Sequence, residues 1–216
     1  VERAIQEYCR RRSPAPQRSD DSSSSLSPII CQFSSIGSLS VKYLRSLWSA
    51  WDVASVCRAA SGVEETKEGL GFELVYPTCQ EIIQSVEGIQ GGGSVPGRFK
   101  NVSKAFLSPL YRKWASSNNR ESDASLGKGR NVPHIKTYYQ VGKGGDGEGN
   151  DSMQWFVLTS HNLSKAAWGE VQNGKRGKRL KVFHWELGVF LSPETMGQRR
   201  LVPLVPGSSN QDKDEE

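Results

Sequence analysis

Hydrophobic and polar positions alternate along this chain in short blocks that predict strands and helices in turn. Strands are predicted at residues 29–33, 72–78, 132–140 and 154–160, with one bent strand or a strand pair at 180–192. Helical spacing of apolar residues is found at residues 41–56, 81–88, 110–114 and 162–169. Because strands and helices alternate, the pattern favours a layered α/β or α+β sandwich.

The two ends of the chain are polar and divide it into three parts. Residues 1–28 combine a short N-terminal helix, over residues 1–12, with a flexible segment rich in Ser and Pro. Residues 29–196 form the expected domain, and residues 197–216 form an acidic tail that we expect to be disordered. The chain starts with Val, which indicates a fragment or a processed product.

Charge and cysteine content narrow the class of protein. Lys and Arg outnumber Asp and Glu by 28 to 23, and such a basic surface is compatible with nucleic acid, although charge alone gives only nonspecific attraction. The four cysteines lie far apart, without the close pairs that build zinc sites, and no secretory signal accompanies them. They are interpreted as free thiols in a reducing compartment. No apolar run is long enough to span a membrane, so we expect no membrane partner.

The stretch VPHIKTYYQ, residues 132–140, carries the first candidate chemistry. Side chains alternate between the two faces of a strand, so His134 and Lys136 would be neighbours on one face. An imidazole acts as nucleophile, acid or base near neutral pH, and an ammonium beside it binds a phosphate oxygen. The pair therefore suits phosphoryl chemistry. The alternative is a half-buried strand histidine beside a solvated lysine.

Two further segments supply polar groups. Asn162 follows a predicted buried strand, and its carboxamide is suited either to donate to an anion or to cap the next helix, while Ser164 adds a hydroxyl. Glu186, in FHWELGVF, is suited to accept a hydrogen bond from His134 and to fix its tautomer. Otherwise Glu186 is a surface strand residue, although its apolar neighbours make a surface position less favourable.

Four segments in this order, IICQFSSIGSLS, VPHIKTY, FVLTSHNLSKAAWG and WELGVF, closely resemble the C-terminal half of the tyrosyl-DNA phosphodiesterase family, a branch of the phospholipase D superfamily. The resemblance covers residues 29–192, and NLSKAAWG joined to PHIKTY is far longer than a chance motif. It implies an α/β/α sandwich with a mixed central sheet, one half of a phospholipase D-like pseudo-dimer. In such proteins two H-x-K motifs, one from each half, meet at a central cleft.

The resemblance also implies which side chains act. The implied catalytic residues are His134, Lys136, Asn162 and Glu186. The histidine would protonate the leaving tyrosyl oxygen and then activate water, the lysine and asparagine would bind the nonbridging phosphate oxygens, and the glutamate would orient the histidine. The implied DNA-binding residues are Ser35, Ser38, Ser94 and Ser164. No metal and no other cofactor is implied, because lysine and asparagine side chains stabilise the phosphoryl charge.

The chain departs from the family pattern in its histidines. Only His134 belongs to an H-x-K triplet, since His161 precedes Asn-Leu and His184 precedes Trp-Glu. The nucleophilic histidine of the first motif is therefore absent from these residues, and the missing N-terminal half is expected in the full-length protein. His161 stands where a small residue is more usual in the family, and we expect it to pack outside the cleft.

The implied function is hydrolysis, in nuclear DNA repair, of the phosphodiester bond between a topoisomerase tyrosine and a DNA 3′ end, through a phosphohistidine intermediate. This chain would supply the general acid and base. The implied partners are single-stranded or double-stranded DNA with a blocked 3′ end and a topoisomerase-derived peptide as substrate. Two alternatives stay open: a noncatalytic DNA-end binding module, and a single-motif homodimer in which each chain contributes one histidine.

Overall fold

The computed structural model of the chain describes residues 28–52, 70–114, 131–142, 152–174 and 177–197. The strands are β1 (Ile29–Gln32), β2 (Phe72–Val75), β3 (Tyr111–Arg112), β4 (Lys136–Gly142), β5 (Ser152–Thr159), β6 (Glu170–Gly174), β7 (Gly177–Lys181) and β8 (Gly188–Leu191). The helices are α1 (Val41–Trp51), α2 (Cys79–Ile83), α3 (Phe99–Val102) and α4 (Lys165–Trp168), with short 3-10 helices at Gly88–Ser94 and Ser108–Leu110. The predicted N-terminal helix, the Ser/Pro-rich segment and the acidic tail fall on residues 1–27 and 198–216, outside the described residues.

Six of these strands form one mixed sheet in the order β3-β2-β1-β4-β5-β8. β1, β2 and β3 run parallel to one another, whereas β4 pairs antiparallel with β1 and β5, and β8 pairs antiparallel with β5. β6 and β7 form a separate two-stranded hairpin. The predicted α/β class with a mixed central sheet is confirmed.

Helix α1 packs one apolar stripe against the sheet. Its buried residues recur at helical spacing: Tyr43, Leu44, Leu47 and Trp51. The Trp51 ring packs edge-on against Phe72 of β2 and Tyr138 of β4, at centroid distances of 6.3 and 5.7 Å. These contacts hold the helix across the strands that carry the candidate site.

The structure corrects three predicted elements. Residues 110–114, predicted to be helical, instead end a 3-10 helix and form β3, which pairs with β2. The strand predicted at residues 132–140 begins only at Lys136, since Pro133 has no backbone N–H to donate to the ladder. The strand pair predicted at residues 180–192 is divided, because β7 joins the hairpin and β8 joins the edge of the main sheet.

Apolar side chains stay exposed beside the β8 edge of the sheet. Leu158 of β5 stands opposite Val189 of β8, and both are exposed. Leu187 and Trp185 precede Val189 at alternate positions, and Trp185 is fully exposed. These four residues, named here the edge strip, form an apolar surface that the described elements leave accessible to solvent.

Candidate active site

Asn162 is fixed at the end of β5 by the loop that follows β1. Its Oδ1 atom accepts hydrogen bonds from the backbone N–H groups of Ser34 and Ser35, at 3.2 and 2.9 Å, and from the Ser34 hydroxyl at 3.3 Å. Asn162 therefore does not cap α4, whose N-cap is Ser164. Because two backbone donors require the carboxamide oxygen, the NH₂ group of Asn162 is the side that can donate to an anion.

Backbone contacts join the loop after β1 to the turn after β5. The Gly37 N–H donates to the Leu163 carbonyl oxygen at 3.0 Å. A Cβ atom on Gly37 would lie 2.7 Å from the Cβ of Ser164, so only glycine permits this approach. Three of the predicted DNA-binding residues lie on these two adjoining segments: Ser35, Ser38 and Ser164.

Lys136 begins β4 beside this junction. It is buried, with 6% of its surface exposed, and its ammonium donates to the carbonyl oxygen of His134 at 2.5 Å. Lys136 is paired with Thr159 across β4 and β5, so the H-x-K segment and the turn that carries Asn162 lie at the same end of two adjacent strands. Burial lowers the pKa of Lys136, and the Glu186 carboxylate acts in the opposite direction.

His134 lies outside β4 and its side chain is exposed. The predicted contact between neighbours on one strand face is therefore replaced by the hydrogen bond from the Lys136 ammonium to the His134 carbonyl oxygen. The alternative of a half-buried histidine beside a solvated lysine is wrong, because the histidine is exposed and the lysine is buried. An exposed imidazole at this place can exchange protons with a ligand and with water.

Glu186 is largely buried, with 12% of its side chain exposed, although it lies outside the strands. Its Oε2 atom accepts a hydrogen bond from the Ser160 hydroxyl at 2.5 Å, and its Oε1 atom lies 3.5 Å from Nδ1 of His184. Among the described residues no hydrogen bond joins Glu186 to His134, so the predicted partner is replaced by Ser160. The alternative of an exposed surface position for Glu186 is wrong.

His161 packs its ring against α4. The ring centroid lies 4.4 Å from that of Trp168, and Nδ1 is hydrogen-bonded to the Thr159 hydroxyl. The backbone carbonyl oxygen of His161 accepts a hydrogen bond from the Tyr138 hydroxyl at 3.0 Å, which ties β4 to the turn after β5. Burial lowers the pKa of His161. The residue thus supports the turn from inside the fold.

Ser94, the fourth predicted DNA-binding residue, lies at the end of a 3-10 helix and is exposed. The segment after it is tied to the end of β2, since the Tyr76 hydroxyl donates to the Val95 carbonyl oxygen at 3.2 Å. No contact among the described residues joins Ser94 to Asn162 or to Lys136. Its role in DNA binding stays a prediction.

Sequence reasoning missed Ser160 as the partner of the buried carboxylate. Its hydroxyl donates to Glu186, and its backbone N–H donates to the Leu187 carbonyl oxygen at 2.9 Å. The signal available in the sequence was its place in TSHN, between a strand end and Asn162. Nothing local indicated which of the many downstream residues it would contact.

The junction gathers an exposed imidazole, a buried ammonium, an amide donor, hydroxyl groups and one carboxylate. Such a set can bind the oxygens of a phosphate and move a proton to or from one of its substituents. In the part of the chain that the structure describes, no group of three or more His, Cys, Asp or Glu side chains is arranged to hold a metal ion. No described helix is both long and apolar enough to cross a membrane.

Comparison with known proteins identifies the class. The sequence profile of the tyrosyl-DNA phosphodiesterase family matches residues 4–216. Tyrosyl-DNA phosphodiesterase 1 of Arabidopsis thaliana is 33% identical over 199 residues, which cover 88% of this chain and 29% of that protein. Tyrosyl-DNA phosphodiesterase 1 of Drosophila melanogaster is 33% identical over 180 residues, which cover 82% of this chain and 29% of that protein. This chain belongs to the tyrosyl-DNA phosphodiesterase family.

Solved structures share the fold. A variant of yeast tyrosyl-DNA phosphodiesterase superposes with a TM-score of 0.59 at 17% identity, covering 93% of this chain and 44% of that one. A second yeast structure of the same enzyme gives a TM-score of 0.53 at 20% identity, covering 81% and 41%. These likenesses confirm the predicted architecture of one phospholipase D-like half. The chain spans only 29% of the length of the two curated relatives described above.

Proposed function

We propose that this protein supplies the acid and base half of an enzyme that hydrolyses the phosphodiester bond between a topoisomerase tyrosine and a DNA 3′ end. The enzyme would act in the nucleus, in DNA repair, on single-stranded or double-stranded DNA with a blocked 3′ end and an attached topoisomerase-derived peptide. The observation that supports the proposal best is the placement of the H-x-K segment and the Asn162 turn at one end of β4 and β5. These are the motif residues of the family to which the chain belongs.

The scissile phosphate binds between Lys136 and Asn162. The lysine brings a positive charge out of water, where its attraction to an anion is screened less than at the surface. The asparagine presents an amide group whose orientation is set by the loop after β1. Both groups are in place before a ligand arrives, so they stabilise charge on the nonbridging oxygens without reorganisation.

His134 moves the proton in both steps. A histidine from the first H-x-K motif attacks phosphorus, the bond from phosphorus to the tyrosyl oxygen breaks, and the His134 imidazolium protonates that oxygen. The neutral imidazole then takes a proton from water as the water oxygen attacks phosphorus. The phosphorus–nitrogen bond breaks and leaves a DNA 3′-phosphate. Glu186 acts indirectly in both steps, through its charge near Lys136.

The attacking histidine is supplied by an N-terminal half of the full-length protein. The single H-x-K triplet of these residues and their 29% share of the curated relatives support this part of the proposal. The edge strip supports it too, because exposed apolar surface of this kind is stabilised when another domain covers it.

The test is an assay on an oligonucleotide that ends in a 3′-phosphotyrosine, with the full-length protein. His134→Asn should lower turnover by at least about a hundredfold, the scale of general acid–base catalysis. His184→Asn is the matched control, since His184 is mostly exposed, and it should keep turnover. Equal activity of the His134 variant and the wild type would contradict the proposal.

Asn162→Asp separates phosphate binding from folding at the same position. The carboxylate keeps an oxygen for the Ser34 and Ser35 N–H groups, so the melting temperature should stay close to that of the wild type. It loses the amide donor and adds a negative charge, so both oligonucleotide binding and turnover should fall. Asn162→Asp with wild-type turnover would count against the assignment of Asn162 to the phosphate.

A noncatalytic DNA-end binding module is the second candidate, and the single H-x-K triplet favours it. Such a module would bind oligonucleotides with the salt dependence of phosphate contacts yet show no turnover even with an N-terminal half present. A homodimer in which each chain contributes one histidine is the third candidate. Sedimentation that shows only monomers at micromolar concentration would exclude it.

A further inference from the structure

A second set of side chains holds the loop after β1, and it comes from the segment that includes and follows α3. Asn101 Nδ2 donates to the Ile36 carbonyl oxygen at 3.4 Å. Lys104 Nζ donates to the Leu39 carbonyl oxygen at 2.5 Å and to the Ser38 hydroxyl at 3.2 Å. The ammonium of Lys104 is thereby fixed beside a residue that the sequence motifs assign to DNA.

The Lys104 ammonium has binding capacity left. It carries three N–H donors, of which the two contacts to the loop use two. Among the described residues no carboxylate forms an ion pair with it, and the Phe106 ring, whose centroid lies 6.0 Å from Nζ, offers only a weak attraction. A fixed positive charge with a spare donor and no anionic partner in the described chain favours an anion as ligand.

Ser38 completes the arrangement. Its hydroxyl oxygen accepts the hydrogen bond from Lys104, so its own O–H is available as a donor, and the residue is exposed. A hydroxyl that accepts from a charged donor is polarised and donates more strongly in turn. Lys104 and Ser38 together thus present two donors to one ligand oxygen.

We propose that Lys104 and Ser38 form a binding site for a backbone phosphate of the DNA strand, next to the site of the scissile phosphate. This inference rests on the proposed function, because it requires a DNA strand that runs along the loop after β1. The bound phosphate oxygen accepts the Ser38 O–H and the third N–H of Lys104. Lys104 is thereby added as a DNA-contacting residue, distinct from Lys136 and Asn162.

The experiment compares three variants of the full-length protein: Lys104→Met, Lys104→Arg and the matched control Lys100→Met, whose lysine is exposed on α3. The probe is a single-stranded oligonucleotide with a 3′-phosphotyrosine, and its affinity is measured by fluorescence anisotropy over a range of salt concentrations. Lys104→Met should reduce the slope of log affinity against log salt by about 0.7, the share of one phosphate contact on a single strand. Lys104→Arg and Lys100→Met should keep the wild-type slope.

A single nucleoside that carries a 3′-phosphotyrosyl ester has only one phosphate and provides the second measurement. The wild type and Lys104→Met should bind it alike, because the ligand has no neighbouring phosphate for Lys104. Equal losses with both ligands, or a weaker affinity for the oligonucleotide at an unchanged slope, would overturn the proposal, since a structural role of Lys104 predicts those results. If the full-length wild type shows no turnover but Lys104→Met still reduces the slope, the phosphate site stands and the proposed hydrolysis fails.

Discussion

The junction of β1, β4 and β5 and the β6–β7 hairpin adjoin along the chain but are held in different ways. In the junction, Asn162 bonds to residues 127 and 128 positions earlier in the chain. In the hairpin, the strands pair with each other, and all residues of β7 are exposed. The hairpin is tied to α4 at its base, where the Phe183 and His184 N–H groups donate to the Ala166 carbonyl oxygen. Polar groups of the junction are thus positioned by distant segments, whereas the hairpin is stabilised locally.

The largest effect should come from tryptophan substitutions that contrast these two regions. Trp51 is fully buried beneath the sheet, whereas Trp185, just after the hairpin, is fully exposed. Trp51→Ala should lower the free energy of unfolding by about 3–5 kcal/mol, because it leaves a cavity among aromatic rings. Trp185→Ala should change it by less than about 0.5 kcal/mol. Urea denaturation of both variants measures the difference, and similar losses would show that the edge strip is covered in solution.

An intermediate effect is expected from glycine substitutions. Gly37→Ala places a methyl group 2.7 Å from the Cβ of Ser164, so the two loops must separate. Overpacking of this kind costs about 1–3 kcal/mol, and we expect turnover on a 3′-phosphotyrosyl oligonucleotide to fall more than stability does, because the loops position Asn162. Gly93→Ala is the control, since no atom lies within 4 Å of its added methyl group. If thermal melting and turnover of Gly37→Ala both match those of Gly93→Ala, the two loops are not held as closely as described.

The smallest effect concerns pH. Burial lowers the pKa of the Lys136 ammonium from its ordinary value of 10.5, and the Glu186 charge partly opposes this. As pH rises, the folded protein therefore loses the Lys136 proton before the unfolded chain does, so the cost of burying the charge is present at neutral pH and disappears between the folded and the unfolded pKa. The ammonium needed for phosphate is lost over the same range. Oligonucleotide affinity should accordingly decline on the alkaline side at a pH below 10.5.

Glu186→Gln sharpens the pH measurement. It removes the charge that opposes the effect of burial, so the alkaline decline in affinity should move to lower pH. Lys136→Arg is the control, because a guanidinium does not titrate in this range and the part of the decline that is due to Lys136 should vanish. A decline at the same pH in the wild type and in Glu186→Gln would mean that the carboxylate does not act on Lys136.

Much of the fold follows from local pattern. Alternation of buried and exposed positions predicted β1, β2, β4 and β5, and helical spacing after Ser40 predicted α1. The prediction was wrong for residues 110–114, because a pairing with β2 outweighed local helical spacing. It also placed two segments of residues 180–192 together, although they pair with different partners. Strand pairing depends on distant segments, so local periodicity carries no information about it.

The sequence by itself determined the chemical groups of the site and their family, because the motif residues stand in an order that needs no coordinates to recognise. Only the tertiary structure decided what each group contacts: Asn162 holds the loop after β1 rather than capping α4, and Glu186 bonds to Ser160 rather than to His134. The physical reason is that a hydrogen bond depends on distances of a few ångströms between atoms. Chain segments more than a hundred residues apart are brought to such distances only by the packing of the whole sheet.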